Sequence, residues 1–294
     1  MLIDARAAVA LLRSGEIVAI PTETVYGLAC VLTESAARKV YAAKGRPGDN
    51  PFIVHIASPG DLGTVAAALP DAAAELARRF WPGPLTLVLP KRGDVPPAVT
   101  AGLPTVAVRC PAHPVARRII EGAGPLAAPS ANISGRPSPT RAEHVTAELD
   151  VPCVDGGSCE VGLESTVVSL CAAPRLLRPG AVTLEQLRSV LGEVLPAEKT
   201  DTPASPGQKY RHYAPVTRLI MTDGSCPPDA LLLVPEEENG RFAGRRVLAY
   251  TAATLYGVLR ELDAMGEEYA YVYCPKPEGL GLALCDRLRR AAGV

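Results

Sequence analysis

Short apolar runs alternate along this chain with stretches whose apolar residues recur every three or four positions, and polar loops fall mostly where the runs end. Residues 5–13 have helical spacing behind Asp4, a residue type that caps helix N-termini, and Gly15 closes the segment. The run 17–20 predicts a short buried strand. Helices are predicted over 33–43 and 70–80, and strands over 52–56, 85–89, 105–109 and 167–170. Trp81, the only tryptophan, reads as a core anchor under the turn Trp81-Pro82-Gly83-Pro84. Thr140-Arg141-Ala142-Glu143 and Thr183-Leu184-Glu185-Gln186 each have the form of a capping box that opens a helix. Strands and helices in alternation predict an α/β domain with a partly parallel sheet.

The pattern dissolves over 193–215, where Thr202-Pro203-Ala204-Ser205-Pro206-Gly207 has the composition of a linker. Gln208-Lys209-Tyr210-Arg211-His212-Tyr213-Ala214-Pro215 follows, richer in aromatic and cationic groups than a passive spacer requires. Strands are predicted again over 216–221, 231–234, 247–251 and 269–274, with helices over 252–264 and 281–292. The expected organisation is a domain over 1–200, a linker over 201–215 and a smaller α/β domain over 216–294. The Glu236-Glu237-Glu238 run in the latter reads as a solvated loop.

Charge narrows the choice of partners. The net charge is -1, and residues 1–200 and 201–294 are each close to balance, so any anion site must be a local cluster and strong nucleic-acid affinity is not expected. None of the eight cysteines forms Cys-x-x-Cys or pairs with one of the four histidines at ligand spacing, so no zinc site is expected. Several cysteines sit in apolar runs and read as small buried hydrophobes. There is no basic segment followed by an apolar one at the N-terminus and no apolar stretch long enough to span a bilayer, so a cytoplasmic protein without membrane contact is expected.

The candidate chemistry lies in the loops. Lys44 and Arg46 stand two residues apart at a helix exit, before a loop stiffened by Pro47 and Pro51. The pair suits a polyanion such as a triphosphate, or it is a basic helix end beside a solvated loop. Pro21-Thr22-Glu23-Thr24-Val25-Tyr26-Gly27 either bonds its own backbone or presents hydroxyls to a ligand. Arg109, at a strand end before Cys110-Pro111, is either a carboxylate clamp or a surface cation. No Walker A sequence and no Gly-x-Gly-x-x-Gly occurs, so a bound nucleotide would be held in neither of those ways.

Taken together, Pro21-Thr22-Glu23-Thr24-Val25-Tyr26-Gly27, Lys44-Gly45-Arg46-Pro47, Pro129-Ser130-Ala131-Asn132-Ile133-Ser134-Gly135 and Glu164-Ser165-Thr166 resemble the YrdC-like domain of L-threonylcarbamoyl-AMP synthases. The linker through His212-Tyr213-Ala214-Pro215 resembles that of the two-domain members, and Gly279-Leu280-Gly281-Leu282-Ala283 resembles their C-terminal domain, here shorter than in many. The resemblance implies a twisted open mixed sheet with a concave positive cleft, followed by a smaller Rossmann-like α/β domain. It implies a reaction of L-threonine, bicarbonate and ATP that gives threonylcarbamoyl-AMP and pyrophosphate, with Mg²⁺ accompanying ATP and downstream tRNA threonylcarbamoyl-transfer proteins as partners.

Carried onto this chain, the resemblance gives Arg109 to the threonine carboxylate, and Thr24, His55, Ser130 and Thr166 to the rest of that substrate. Lys44, Arg46 and Arg178 would line the phosphates of ATP, Lys44 and Arg46 acting in catalysis. Asn50, Thr105, Asn132 and Thr140 would add neutral hydrogen bonds, and Tyr213 in the linker would close over the nucleotide. Two other readings stand beside this one. An RNA-binding module could contact tRNA or ribosomes through Arg136, Arg141 and Arg211. Carbamoyl transfer also occurs among YrdC-like proteins, but the Cys/His-rich segments that accompany it are missing here.

Overall fold

The computed structural model describes residues 1–197 and 212–294, so 201–211 of the expected linker lie outside the described residues. The strands of the first unit are β1 (Leu2–Ile3), β2 (Val18–Ile20), β3 (Gly27–Val31), β4 (Ile53–His55), β5 (Leu85–Pro90), β6 (Thr105–Arg109), β7 (Leu126–Ala127), β8 (Cys153–Val154), β9 (Thr166–Ser169), β10 (Arg175–Arg178) and β11 (Leu195–Pro196). Among the described residues they form one mixed sheet in the order β1-β8-β2-β3-β7-β4-β6-β5-β9-β10-β11. The helices are α1 (Ala5–Arg13), α2 (Glu34–Lys44), α3 (Asp71–Phe80), α4 (Pro97–Thr100), α5 (Pro114–Ala123), α6 (Ala142–Thr146) and α7 (Leu184–Leu191).

Period-two alternation splits the core into two faces. Leu28 and Cys30 of β3 join α2, α3 and α7 on one face, while Ala29 points the other way, to α1 and α5. Val54, Val106 and Val108 also face the first side. Their neighbours Ile53 and Ala107 face the second, in a small cluster with Val88, Val167 and Leu177. Helices α1 and α5 reach over only one end of this second side, and the cleft described below lies on the remainder.

The predicted elements shift by small amounts, each with a local cause. Asp4 caps α1, accepting from the Ala7 N–H at 2.7 Å. Thr33 caps α2 rather than joining it, and Lys44 is the helix's last residue, with Gly45 in the left-handed region at φ 58°. Thr183 and Gln186 bond reciprocally as a capping box. The box expected at Thr140 does not form: the Thr140 N–H donates to His144 Nδ1 at 3.2 Å, and α6 starts behind Arg141 without a side-chain cap. Trp81 is buried as expected and donates Nε1–H to the Leu85 carbonyl at 2.7 Å.

The second unit is a parallel sheet of β12 (Arg218–Thr222), β13 (Leu232–Pro235), β14 (Val247–Tyr250) and β15 (Tyr269–Tyr273), ordered β12-β15-β13-β14. The Glu236-Glu237-Glu238 run opens a 3-10 helix, Glu236–Phe242. Helices α8 (Leu255–Met265) and α9 (Leu280–Ala292) pack on one face of the sheet. Their other sides meet the first unit, since Val25 and Leu163 belong to the same apolar cluster as Leu259, Leu284 and Tyr213. Arg260 of α8 donates to Glu148 and to the Pro137 carbonyl, both at 2.6 Å, and Arg136 pairs with Asp263 at 3.2 Å. Arg136, expected on a basic RNA-facing surface, is thereby an interdomain ion pair.

One glycine fixes how β10 leaves the sheet. A methyl group on Gly180 would sit 2.4 Å from the Thr166 nitrogen and 2.8 Å from the Glu164 carbonyl oxygen, both of them backbone atoms. Gly180→Ala must therefore push the Glu164-Ser165-Thr166 segment aside. The expected loss is about 1–3 kcal/mol in urea unfolding. Unchanged stability would contradict this packing.

Candidate functional site

Register brings the first two site residues together. In the parallel pair β4–β6, Ile53 stands beside Ala107 and His55 beside Arg109, all four on the face that α1 and α5 leave open. A cavity of about 60 Å³ lies over Ile53, His55 and Arg109. Its walls are Thr22, Thr24, Val25 and Gly27 from the loop entering β3, Arg46 after α2, Ala128, Pro129 and Ser130 after β7, Glu164 and Ser165 before β9, Arg178 at the end of β10, and His212 and Tyr213.

Arg109 is a buried side chain with three partners. Nη2 pairs with Glu23 Oε1 at 2.6 Å, Nη1 donates to Thr24 Oγ1 at 2.7 Å, and Nε donates to the Gly83 carbonyl at 3.2 Å. It is thus not a surface cation. Burial would raise the Glu23 carboxyl, but Arg109 more than reverses this and holds it below its ordinary value. Thr22 fulfils the self-bonding reading of its loop, accepting from the Thr24 and Val25 N–H groups and donating to the Val25 carbonyl. Thr24 joins it, donating its hydroxyl to Thr22 Oγ1 at 2.8 Å while accepting from Arg109 at the cavity wall.

His55 Nδ1 lies 3.1 Å from the Ile53 carbonyl, an acceptor, so Nδ1 carries the proton and Nε2 the lone pair. Burial, with Arg109 beside it, pushes its pKa down to about 3. The ring is neutral at pH 7 and accepts a hydrogen bond rather than supplying charge.

The cations divide. Arg46 lines the cavity, with Nε and Nη2 donating to the Asn50 and Pro51 carbonyls and its guanidinium 5.6 Å from the Phe52 ring centre. Arg178 lines it too, donating from Nε and Nη2 to the carbonyl and hydroxyl of Ser165 at 3.0 and 3.1 Å. Lys44 does not. Its ammonium is buried against the carbonyls of Ser130 and Asn132, and burial together with Arg46 drives its pKa well down. Its backbone carbonyl accepts the Ser134 N–H at 2.9 Å, so Lys44 stitches the end of α2 to the loop after β7.

Of the residues expected from the sequence, Thr24, Arg46, His55, Arg109, Ser130, Arg178 and Tyr213 meet at the cavity, while Lys44, Asn50, Thr105, Asn132, Thr140 and Thr166 lie outside its walls. Thr105 shares the open face with Ala107 and Arg109, two residues further along β6 at each step. Asn132 spends its amide protons on the Ile133 and Arg136 carbonyls, at 2.8 and 2.9 Å. Thr166 donates to the Val182 carbonyl at 2.7 Å. Thr140 is buried beside His144, and Asn50 is buried with Oδ1 unpartnered among the described residues. Glu23, Glu164, Ser165 and His212 were not singled out as site residues. They stand inside the motifs quoted above, yet Glu23, Glu164 and Ser165 meet partners far off in the chain, Arg109, Arg287 and Thr86.

The family comparisons agree over the whole length. A family model named Sua5_yciO_yrdC, described as telomere recombination, matches residues 10–180. One described as threonylcarbamoyl-AMP synthase, C-terminal domain, matches 182–293. The chain is 44% identical to a threonylcarbamoyl-AMP synthase of Pyrococcus abyssi, over 98% of this chain and 94% of that protein. It is 45% identical to one of Bacillus subtilis, over 97% and 92%. A crystal structure of P. abyssi Sua5 complexed with L-threonine superposes with a TM-score of 0.89 at 39% identity, covering 100% of this chain and 98% of that one.

The histidines give the site a pH signature. His55 and His212, lowered by burial to about 3 and about 4, stay neutral in the folded protein when the unfolded chain already takes up protons below its ordinary value of 6.5. Their contribution is therefore complete above pH 6.5 and is lost as pH falls from there towards the folded values. His55→Asn keeps a donor for the Ile53 carbonyl but does not titrate. The stability lost by wild type between pH 7 and pH 5 should shrink in this variant by about 2 kcal/mol. Equal losses in both proteins, by urea unfolding, would contradict a buried neutral His55.

Proposed function

The chain belongs to the threonylcarbamoyl-AMP synthase family, and from that premise we propose that its cleft joins L-threonine, bicarbonate and ATP into threonylcarbamoyl-AMP and pyrophosphate. The observation that carries the reading is the polarity of the open face. Arg109, Thr24 and the neutral His55 stand at one end, and β6 runs from there through Ala107 to Thr105, alongside Ile53, with Arg46 in the wall. One end suits a carboxylate and a hydroxyl, and the other a chain of phosphates.

In this reading the carboxylate of threonine shares Arg109 with Glu23, and its hydroxyl donates to His55 Nε2 or bonds Thr24 and Ser130. The threonine nitrogen attacks the carbon of bicarbonate and water departs, leaving a carbamate. The carbamate oxygen attacks the α-phosphorus, the bond to the β-phosphate oxygen breaks, and pyrophosphate leaves. No side-chain nucleophile takes part. Arg46 and Arg178 hold the phosphates in line and offset the negative charge, which is catalysis by positioning and electrostatics. Lys44 contributes by fixing the Ser130–Asn132 loop.

The wall does not suit a resident metal. Its one carboxylate, Glu164, is already engaged by Ser138, Tyr256 and Arg287, so Mg²⁺ belongs to the reaction as part of the ATP complex. A cavity of about 60 Å³ is far below the roughly 300–1,000 Å³ of small-molecule sites, and His212 and Tyr213 stand in its wall with Arg46 and Arg178. Tyr213 must therefore shift as ATP enters and then close over it. The product would pass to tRNA threonylcarbamoyl-transfer proteins in the cytoplasm, a setting that suits eight unpaired thiols. Among the described residues no helix is long and apolar enough to cross a membrane.

Pyrophosphate release should require ATP, L-threonine and bicarbonate together, and release that persists without threonine would overturn the reading. Arg109→Lys keeps the charge on Glu23 but loses the fork. It should raise KM for L-threonine roughly tenfold and leave that for ATP within about twofold. Arg46→Ala should show the opposite split. The same split in both variants would contradict the two-ended cleft.

A further inference from the structure

Arg287 is a fully buried arginine on α9, in the small domain, and it ends at the wall of a cleft that belongs to the large one. Its Nε donates to Glu164 Oε2 at 2.8 Å and its Nη2 to the Pro179 carbonyl at 2.9 Å, while Nη1 pairs with Asp286 at 2.6 Å. Its guanidinium carbon lies 5.4 Å from the centre of the Tyr213 ring. Tyr256 of α8 adds a hydrogen bond to Glu164 Oε2 at 2.7 Å, and its ring is 5.5 Å from that of Tyr213.

These contacts bracket Arg178. Pro179 follows it directly in the chain, and Glu164 precedes Ser165, whose carbonyl and hydroxyl hold the Arg178 guanidinium. Arg287 thus grips the backbone on one side of Arg178 and the residue before its anchor on the other. The same group lies under Tyr213. Burial alone would raise the Glu164 carboxyl, but Arg287 and Arg178 beside it bring it down to about 2, so the pair stays ionised across the working range.

We propose that Arg287 is a positioning residue for nucleotide binding: from the C-terminal domain it sets the places of Arg178 and Tyr213, so that the ATP end of the cleft is complete only when that domain is docked. This rests on the reading of the cleft as the ATP and L-threonine site. It assigns the small domain a part in the reaction that no group of its own touching substrate would reveal. The threonine end, built on Arg109, Glu23 and His55, is independent of it.

The test uses the full chain and two readouts: equilibrium binding of a non-hydrolysable ATP analogue, and KM for each substrate in pyrophosphate release. Arg287→Lys retains the charge on Glu164 and loses the bridge to Pro179. It should weaken analogue binding by about tenfold or more while KM for L-threonine stays within about twofold, a displacement effect of the kind that small misplacements produce. Combined with Tyr213→Leu it should bind the analogue no worse than the weaker single variant, because both changes act on one unit. Arg246→Met, an exposed pair with Glu267 in the same domain, should match wild type. Analogue affinity within twofold of wild type in Arg287→Lys would overturn the proposal, as would equal losses for both substrates or full additivity with Tyr213→Leu. If Arg287→Lys fails to fold, Glu164→Gln/Arg287→Met, which strands no buried charge, carries the same measurement. A wild-type protein that binds the analogue but releases no threonine-dependent pyrophosphate would overturn the functional reading alone, since analogue binding still decides the role of Arg287.

Discussion

Burying several guanidinium groups around one small cavity is the constraint on which this structure depends. Arg109, Arg178 and Arg287 are buried and Arg46 is half-buried, while Glu23 and Glu164 are the buried carboxylates among the described residues. An unpaired charge in such a place costs several kcal/mol, so each arginine needs a carboxylate or a set of carbonyls. Arg109 has Glu23, Arg287 has Glu164, and Arg46 and Arg178 are held by backbone carbonyls alone or with one hydroxyl. Carbonyls satisfy the N–H donors but leave the net charge in place. Among the described residues, the two arginines of the cavity wall without a carboxylate of their own, Arg46 and Arg178, are the two that the proposed reading gives to phosphate, and Arg109, paired with Glu23, is the one it gives to a single carboxylate.

Holding those carbonyls still is what the surrounding elements accomplish. Asn50 and Pro51 are fixed because β4 follows them and because Tyr41 of α2 donates to the Asn50 carbonyl at 3.2 Å and stacks on Phe52 at 4.4 Å. Ser165 is fixed by Thr86 of β5 at 2.7 Å and by the crowding at Gly180. Lys44 closes the third side by drawing in the Ser130–Asn132 carbonyls. A lysine that gives its charge to backbone oxygens looks like a ligand-binding cation in the sequence. Here it shapes the loop that carries Ser130.

What the chain discloses before folding follows the range of the interactions. Helix α1 behind Asp4 and the capping box at Thr183 are set by contacts within four residues, strand β6 is marked by its own period-two alternation, and all three stand where the pattern places them. The two-residue strands β1, β8 and β11 exist only because a distant strand pairs with them, and no local signal marks them. Helix α5 is not among the helices that the pattern predicts, and two prolines stand at its start, in Cys110-Pro111-Ala112-His113-Pro114. Pro114 takes the first helical turn, where a missing N–H is harmless, and His113 caps it by accepting from Val115. The site divides in the same way. Loops rich in hydroxyls and cations are visible as such, but the carboxylate that each arginine meets is not: Glu23 and Arg109, or Glu164 and Arg287, are brought together by the sheet and by domain docking.

The second domain follows from this accounting of charge. The segment Glu164-Ser165 must supply oxygens to Arg178, which leaves Glu164 itself pointing across the domain boundary. Within the first unit its carboxylate has Ser138 as a hydrogen-bond donor for one oxygen and the Arg178 guanidinium nearby. Arg287 and Tyr256, both from the second unit, supply the rest. The apolar contacts of Val25 and Leu163 with the small domain's core add affinity between the units but no direction. The fork of Arg287 adds direction, because a guanidinium that bonds Glu164 and Pro179 at once admits only one orientation of α9. Domain docking and the geometry around Arg178 are therefore set by the same few hydrogen bonds.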